Sequence, residues 1–502
     1  GHVLRGYCNE RDANDELLPH CVAPSPEFGP EELQPTFGPC PQSRSWDAGE
    51  CLRHTPWNER RLYTHNENNE VIPIADEDGT ASAAFVAELQ GANLLVTSEP
   101  QAEADALVAF VLGRDAPGNW KRPGLANSTP VVVRRIPRYQ HSRVPEVAIR
   151  DPHCGGRLYP LVEQGALPES LRNFAETVWD ESEADSFLSQ PSPHYAYQEA
   201  VLVGDDMGVL HAFQLDSGNE LWGFIPRTLL HNLSQQAAIG PGAMGQPAAL
   251  EEHIYGISAT VNHTWVPDPG PDQQLGTNDD VWRHLAIFGF GAGGPEYVAL
   301  DVSHMSPMAT QGPIEILWTS EDPAIKADYD AYNGETWARP AITYRLETDD
   351  LGDTPEPFLV MGSGYRVGGP AEQGRTLVLA RALDGQIEQY ATLPVVSHAV
   401  YESDFGAVVD PSVSSHCISR FWAEMQETYI ADPAGRLFRW DLGRETNHEA
   451  DSGGPWVGNA ATPVGVGSQA HFPACTGAGA TCTVSGSNPA DPFVLSVAVS
   501  AN

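Results

Sequence analysis

Of 502 residues only two are lysines, Lys121 and Lys326. Chemistry that runs through a desolvated amine, such as a Schiff base, therefore has almost no candidates. No G-x-S-x-G, H-E-x-x-H or Walker string occurs either, which leaves no nucleophile elbow, zinc helix or phosphate loop to build on. Oxygen and sulfur ligands remain. Asp76, Asp78 and Gly79 in ADEDGT, and Asp328, Asp330, Asn333 and Glu335 in DYDAYNGE, gather carboxylate and amide oxygens in short stretches that could suit calcium. Neither has the EF-hand spacing, and in so acidic a chain solvated turns are the expectation, as they are for Asp349, Asp350 and Asp353. Asp410, Ser412 and Ser414 spell D-x-S-x-S, which mimics a metal-ion-dependent adhesion motif. They sit in a strand repeat and do not open an α/β domain, so the match is expected to be coincidental.

Eight cysteines are unevenly placed: Cys8, Cys21, Cys40 and Cys51 crowd the start, Cys475 and Cys482 lie near the end, and Cys154 and Cys417 stand apart. The first four are separated by 13, 19 and 11 positions, without the tight C-x-x-C of a zinc site, so disulfides in an oxidising compartment are expected, with the pairing left open. His153-Cys154 and His416-Cys417 are His-Cys dipeptides that would serve either a disulfide or a soft-metal site; the oxidising setting favours the disulfide. The chain opens Gly1-His2-Val3 with no signal peptide, as expected of a mature or processed chain.

With 28 basic and 67 acidic residues the net charge is 28 minus 67, or −39. Such a surface repels phosphate backbones, which excludes nucleic acid and anionic membranes as partners. The longest apolar runs, such as Ala106 to Leu112, are far too short to span a membrane. At 41% hydrophobic residues the chain can still bury a substantial core.

The elements that must carry these residues are mostly strands, since Gly and Pro are abundant and helical periodicity is rare. Glu99 to Leu112 and Pro168 to Val178 are the expected helices. Short strands recur in sets of four. The first set is 128–134, 200–204, 210–215 and 221–226; the second is 255–266, 285–289, 297–302 and 315–319. The third is 341–346, 358–362, 376–380 and 387–393; the fourth is 405–409, 427–431, 437–442 and the region of Trp456. Asp205-Asp206-Met207-Gly208, Asp216-Ser217-Gly218 and Asp384-Gly385 supply hairpin turns, and Trp222, Trp318, Tyr390 and Trp456 close the sets as space-filling aromatics. This pattern predicts an all-β fold, a β-propeller of roughly six or seven four-stranded blades. Arg61 to Thr64, Glu70 to Ile74, Ala83 to Leu89, Thr462 to Gly467 and Phe493 to Val499 are candidate strands for further blades. The expected division is a cysteine-rich segment at 1–56 and the propeller at 57–502, with its clearest blades over 128–460.

The string AVLVGDDMGVLHAFQLDSGNELWGFIPRTLL, Ala200 to Leu230, resembles the blade signature of the PilC/PilY family of type IV pilus tip-associated adhesins. Val108 to Val133 is similar to the segment that opens the family's propeller, and Trp282 to Ser303 to its Gly-rich second blade. TWARPAI (Thr336 to Ile342), FLVMGSGYRVGG (Phe358 to Gly369) and ETYIADPAGRLFRWDL (Glu427 to Leu442) follow in family order, so the resemblance covers residues 57 to 442. It implies a secreted protein without enzymatic activity at the tip of a pilus, on minor pilins, meeting a surface or host receptor. It also implies a calcium loop of D-x-D-x-D form near the fourth blade. Only Asp410 keeps a carboxylate there, so calcium binding at that loop is expected to be lost, and no cofactor is expected with assurance. The large region that family members carry before the propeller has no counterpart in the 56 residues before Trp57. LHAFQLDSGNELW is also similar to the tryptophan-docking repeat of pyrroloquinoline quinone dehydrogenases, but no Cys-Cys pair or calcium-holding set accompanies it. A periplasmic scaffold propeller is the third reading. The expected interfaces are the N-terminal segment and the loops Gly270 to Asp280 and Gly364 to Gly374.

Overall fold

In a computed structural model, residues 4–5, 46–95, 97–114, 128–133, 138–140, 147–149, 199–239, 254–268, 270, 281–303, 305, 312–349, 352–364, 376–392, 411–417, 423–431, 436–442 and 462–466 are described. Before the first blade come β1 (Leu4–Arg5), β2 (Trp46–Asp47), α1 (Ala48–His54), β3 (Leu62–His65), β4 (Val71–Pro73), α2 (Ala83–Gly91) and α3 (Pro100–Leu112). Helix α3 starts with Pro100 in its first turn and stops at Gly113, whose φ of +76° is the left-handed cap geometry. Its buried face, Ala104, Leu107, Val108, Val111 and Leu112, has helical spacing. The stretch Ala83 to Leu89, expected as a strand, is instead the start of α2. Ser82 caps it by accepting from Phe85 N at 3.1 Å, and Phe85, Glu88 and Leu89 turn one helical face inward.

The first blade is built from β5 (Val131–Val133), β8 (Ala200–Gly204), β9 (Leu210–Gln214) and β10 (Glu220–Phe224), all antiparallel; the short hairpin β6 (Arg138–Gln140) and β7 (Val147–Ile149) lies between β5 and β8 in the chain. The β8–β9 turn is fixed by Asp205, whose Oδ1 accepts from Met207 N and Val209 N at 2.9 Å each, and by Gly208 at φ +86°. The two strands β3 and β4, which correspond to Arg61 to Thr64 and Glu70 to Ile74, make no further blade. Strand β3 pairs in parallel with β10 and β4 pairs with β3, so both extend the outer edge of the first sheet.

After α4 (Leu229–Ile239) the second blade runs β11 (Asn262–Asp268), β12 (Val281–Gly289), β13 (Tyr297–Asp301) and β14 (Glu315–Thr319). After α5 (Lys326–Tyr332) the third runs β15 (Ala341–Asp349), β16 (Gly352–Gly362), β17 (Thr376–Arg381) and β18 (Ile387–Thr392). The fourth is β19 (Ser412–Cys417), β20 (Ala423–Ala431), β21 (Arg436–Asp441) and β22 (Thr462–Val466). Its outer members differ from the expectation: the strand paired with β20 is 412–417 and the strand paired with β21 is 462–466, which had been reserved for another blade. Residues 405–409, Trp456, Phe493 to Val499 and Pro168 to Val178 lie outside the described residues.

Strand alternation gives each blade two apolar faces, and neighbours bury them in turn. Leu202, Ala212 and Trp222 of the first blade share a core with Ala286, Phe288, Val298 and Leu300 of the second. The other face of the second, Leu285, Ile287, Tyr297 and Ala299, meets Leu359, Met361, Val378 and Ala380 of the third. The reverse face of the third, Phe358, Val360, Leu377 and Leu379, meets Met425, Ile430 and Trp440 of the fourth. The third and fourth blades are also joined at an edge, where β15 pairs in parallel with β20 at Tyr344↔Glu424; the serial face-to-face burial of four-stranded blades is the propeller arrangement. The tryptophans do more than fill space. Trp222 Nε1 donates to Met305 O at 3.2 Å and Trp318 Nε1 to Ala382 O at 2.9 Å, each crossing to the next blade. Tyr390 instead packs its ring 4.8 Å from that of Tyr332. Among the described residues, no helix is long and apolar enough to cross a membrane.

Candidate functional site

Among the described residues, a buried polar assembly sits in the first blade. Arg60, just after a helical turn at Trp57–Glu59, grips Glu220 with a two-pronged contact: Nε to Oε2 at 2.7 Å and Nη2 to Oε1 at 2.9 Å. Its Nη1 donates to Val111 O at 2.9 Å, in the last turn of α3. Glu220 Oε1 also meets His211 Nδ1 at 2.7 Å, and His211 Nε2 meets Asp205 Oδ2 at 2.9 Å. Arg60, Glu220, His211 and Asp205 side chains are each 1–2% exposed. Burial pushes the Glu220 carboxyl up, but the Arg60 guanidinium and the His211 ring outweigh it and hold the group well below the usual carboxylate range.

An Asp-His pair suggests a proton relay. Here, however, both ring nitrogens of His211 are already taken, Nδ1 by Glu220 and Nε2 by Asp205, and the side chain is 1% exposed, so the ring is walled off from solvent. The arrangement is a clamp, tying α3 and the Arg60 segment to β9 and β10.

A second cluster lies where the β3–β4 hairpin, the segment after β10 and the end of the second blade meet. Asn69 Nδ2 donates to Asp322 Oδ1 at 2.6 Å, Arg227 pairs with Glu88, and Thr228 Oγ1 donates to Glu296 Oε2 at 2.7 Å. Asn333 Nδ2 donates to Pro295 O at 2.7 Å. Lys326 Nζ is held by Glu321 at 2.6 Å and Asp330 at 3.1 Å. Burial dominates at Glu296 and pushes its carboxyl up to about 8; the Thr228 bond opposes the shift and the nearby Glu321 carboxylate adds to it. Glu296 is therefore a neutral acid at pH 7 that joins the first two blades.

His65, on β3, accepts from Arg227 N through Nε2 at 3.0 Å, which leaves the proton on Nδ1, 3.2 Å from Asn66 O. Burial brings it down to about 4. On the second blade His263 Nδ1 and His284 Nε2 stand 3.1 Å apart, and burial depresses both, His284 most. A depressed histidine stabilises the fold fully above its free value near 6.5, and the contribution drains away as pH falls towards the folded value. Thermal midpoints should thus fall between pH 6.5 and about 4, and in His65→Gln that acid limb should be shallower; an unchanged slope would count against the burial of His65 as its cause.

The carboxylate stretches singled out in the sequence behave as turns and surface. Asp78 Oδ1 accepts from Thr80 N and Oγ1 at 3.0 and 2.6 Å, which lowers the Asp78 carboxyl. In 328–335, Asp330 binds Lys326 and Glu335 accepts from Trp337 Nε1 at 2.9 Å. Among the described residues, no group of three or more His, Cys, Asp or Glu side chains converges to hold a metal. Asp410, Cys8, Cys21, Cys40, Cys154, Cys475, Cys482 and His153 lie outside the described residues, as do 271–280 and 365–374. Ser412, Ser414, His416 and Cys417 fall on the backbone of β19. Cys51 is buried in α1 and disulfide-bonded. Sequence reasoning missed Arg60, Glu88, Arg227, Glu296 and the paired histidines. The available signal was a charged residue flanked by strand-forming apolar ones, as at His211 in LHAF and Glu220 in ELW.

No family profile matches the chain. It is 27% identical over 144 residues to a type IV pilus biogenesis factor PilY1 homolog of Xylella fastidiosa, a match covering 29% of this chain and 8% of that protein. The chain thus spans under a tenth of that relative. Among solved structures, the Pseudomonas aeruginosa PilY1 C-terminal domain is 22% identical, with 49% of this chain and 38% of that one covered and a TM-score of 0.30. BamB from Moraxella catarrhalis is 12% identical, with 48% and 46% covered and a TM-score of 0.23. The quinohemoprotein alcohol dehydrogenase ADHIIG of Pseudomonas putida is 12% identical, with 48% and 31% covered and a TM-score of 0.27. The chain resembles the PilC/PilY family, as its ordered motifs do.

Proposed function

We propose that this chain, similar in part to PilY1-type pilus biogenesis factors, is a propeller of the type IV pilus system that works by binding and not by catalysis. The observation that carries the reading is the similarity over 144 residues to the PilY1 homolog, together with family motifs in family order. In this reading it is extracellular, at the pilus tip after passage through the periplasm, with minor pilins on one side and a surface or host receptor on the other. A series of blades that bury one another's faces suits such a role, because recognition can vary in loops while the core holds its shape. A buried charge clamp that ties the first blade to the helix before it adds to that rigidity.

Electron microscopy of purified pili carrying a label on this protein tests the reading. Label at filament tips is expected. Label confined to the periplasm beside bare pili would reject it, and a scan for quinone absorbance would then test the dehydrogenase-like alternative.

A further inference from the structure

Strand register places two histidines of the second blade side by side. On β11 and β12 the pairs His263↔Ala286 and Trp265↔His284 put both histidines on one face of the sheet, as diagonal neighbours. It is the face that Ala286 and Phe288 bury against the first blade. The two rings have centroids 5.2 Å apart and planes tilted by 54°, and His263 Nδ1 lies 3.1 Å from His284 Nε2. In the chain by itself this contact is a hydrogen bond from one ring to the other.

The same spacing is that of neighbouring ligands on one metal ion. With metal–nitrogen bonds of about 2.1 Å, nitrogens 3.1 Å apart subtend roughly 95° at the metal. That angle is close to the right angle of a tetragonal centre and narrower than the tetrahedral angle of structural zinc sites. A modest rotation of the half-buried His263 ring turns its Nδ1 lone pair, and that of His284 Nε2, to a shared point. The His263 ring also hydrogen-bonds the backbone of Val132 on β5, and an outer contact of this kind fixes the tautomer and orientation of a metal-binding imidazole.

Burial keeps both rings in the neutral form that binds metals, so at pH 7 a proton does not compete for either nitrogen. The opposing charge is Arg339, which lowers His263 further; its side chain is exposed and its effect is screened by solvent. Val132, beside His263, is 40% exposed, whereas His284 is 1% exposed. The pair is thus open to solvent on the His263 side and anchored on the other.

We propose that His263 and His284 form a two-histidine site for a divalent metal of tetragonal preference, copper(II) or nickel(II), at the seam between the first two blades, with water in the remaining positions.

Copper(II) binding to the full chain, measured by equilibrium dialysis and electron paramagnetic resonance, tests this with wild type, His263→Gln and His284→Gln. Each variant is expected to bind one copper fewer per chain than wild type and to lose a signal split by two imidazole nitrogens. Copper-binding groups elsewhere are common to all three proteins and cancel. Equal stoichiometry with unchanged spectra would overturn the proposal and leave the pair a hydrogen bond within the blade. Labelling of His263 by diethylpyrocarbonate, read by mass spectrometry, needs only wild type and serves if the variants do not fold. With free copper at about ten times its Kd, labelling should slow roughly tenfold, and an unchanged rate would overturn the proposal as well.

Discussion

Replacing Arg60 by alanine is expected to cost on the order of 3–5 kcal/mol of stability, because it strips the guanidinium from a carboxylate with no water to replace it. Glu220 and Arg60 are 2% and 1% exposed at the side chain. With Arg60 gone, Glu220 and Asp205 would share the single His211 between them, and Val111 O would lose its donor at the end of α3. Arg60→Lys should recover only part of the loss, since an ammonium cannot reproduce the two-pronged contact. Chemical denaturation of the three proteins provides the measurement. A loss below about 1 kcal/mol for the alanine variant, within the range of an exposed ion pair, would show that the clamp does not bear on stability.

Glu296→Gln is expected to act in the opposite direction and to stabilise the protein at alkaline pH. The folded carboxyl lies at about 8 against an ordinary 4.5, so between those values the folded state keeps a proton that the unfolded chain has released. Stability from this group is complete below about pH 4.5 and is lost as pH rises through 8. A shift of that size corresponds to roughly 3–5 kcal/mol across the window. Glutamine keeps an acceptor for Thr228 Oγ1 without the charge, so the variant should match wild type near pH 4.5 and exceed it at pH 8.5. Parallel curves of thermal midpoint against pH would sink the assignment. Together with the depressed histidines, Glu296 places the optimum between the acid and alkaline limbs.

The sets of four strands were readable because their signals are local. Alternating apolar positions such as Ala200 to Gly204 and turns such as Asp205 to Gly208 need no knowledge of distant partners. The fourth set was misread at both ends for the complementary reason. Strand β20 runs over nine residues, and which neighbour it takes depends on register and packing, not on its own sequence. Ala83 to Leu89 carries an alternating look over a short span, where helix and strand patterns coincide, and the Ser82 cap decided between them.

By itself, the sequence determined the blade repeat, the acidic surface with a net charge of −39 and the resemblance to a pilus family, all of which are properties of composition and short spacing. The tertiary structure decided which charges are buried together. Arg60 and Glu220 are 160 positions apart, Asn69 and Asp322 are 253 apart, and Trp46 and Leu215 are 169 apart. Pairings at such distances follow from strands adding to a sheet edge, as β3 does to β10, and from blades stacking face to face, which fix who meets whom only after each sheet has formed; no local pattern encodes them.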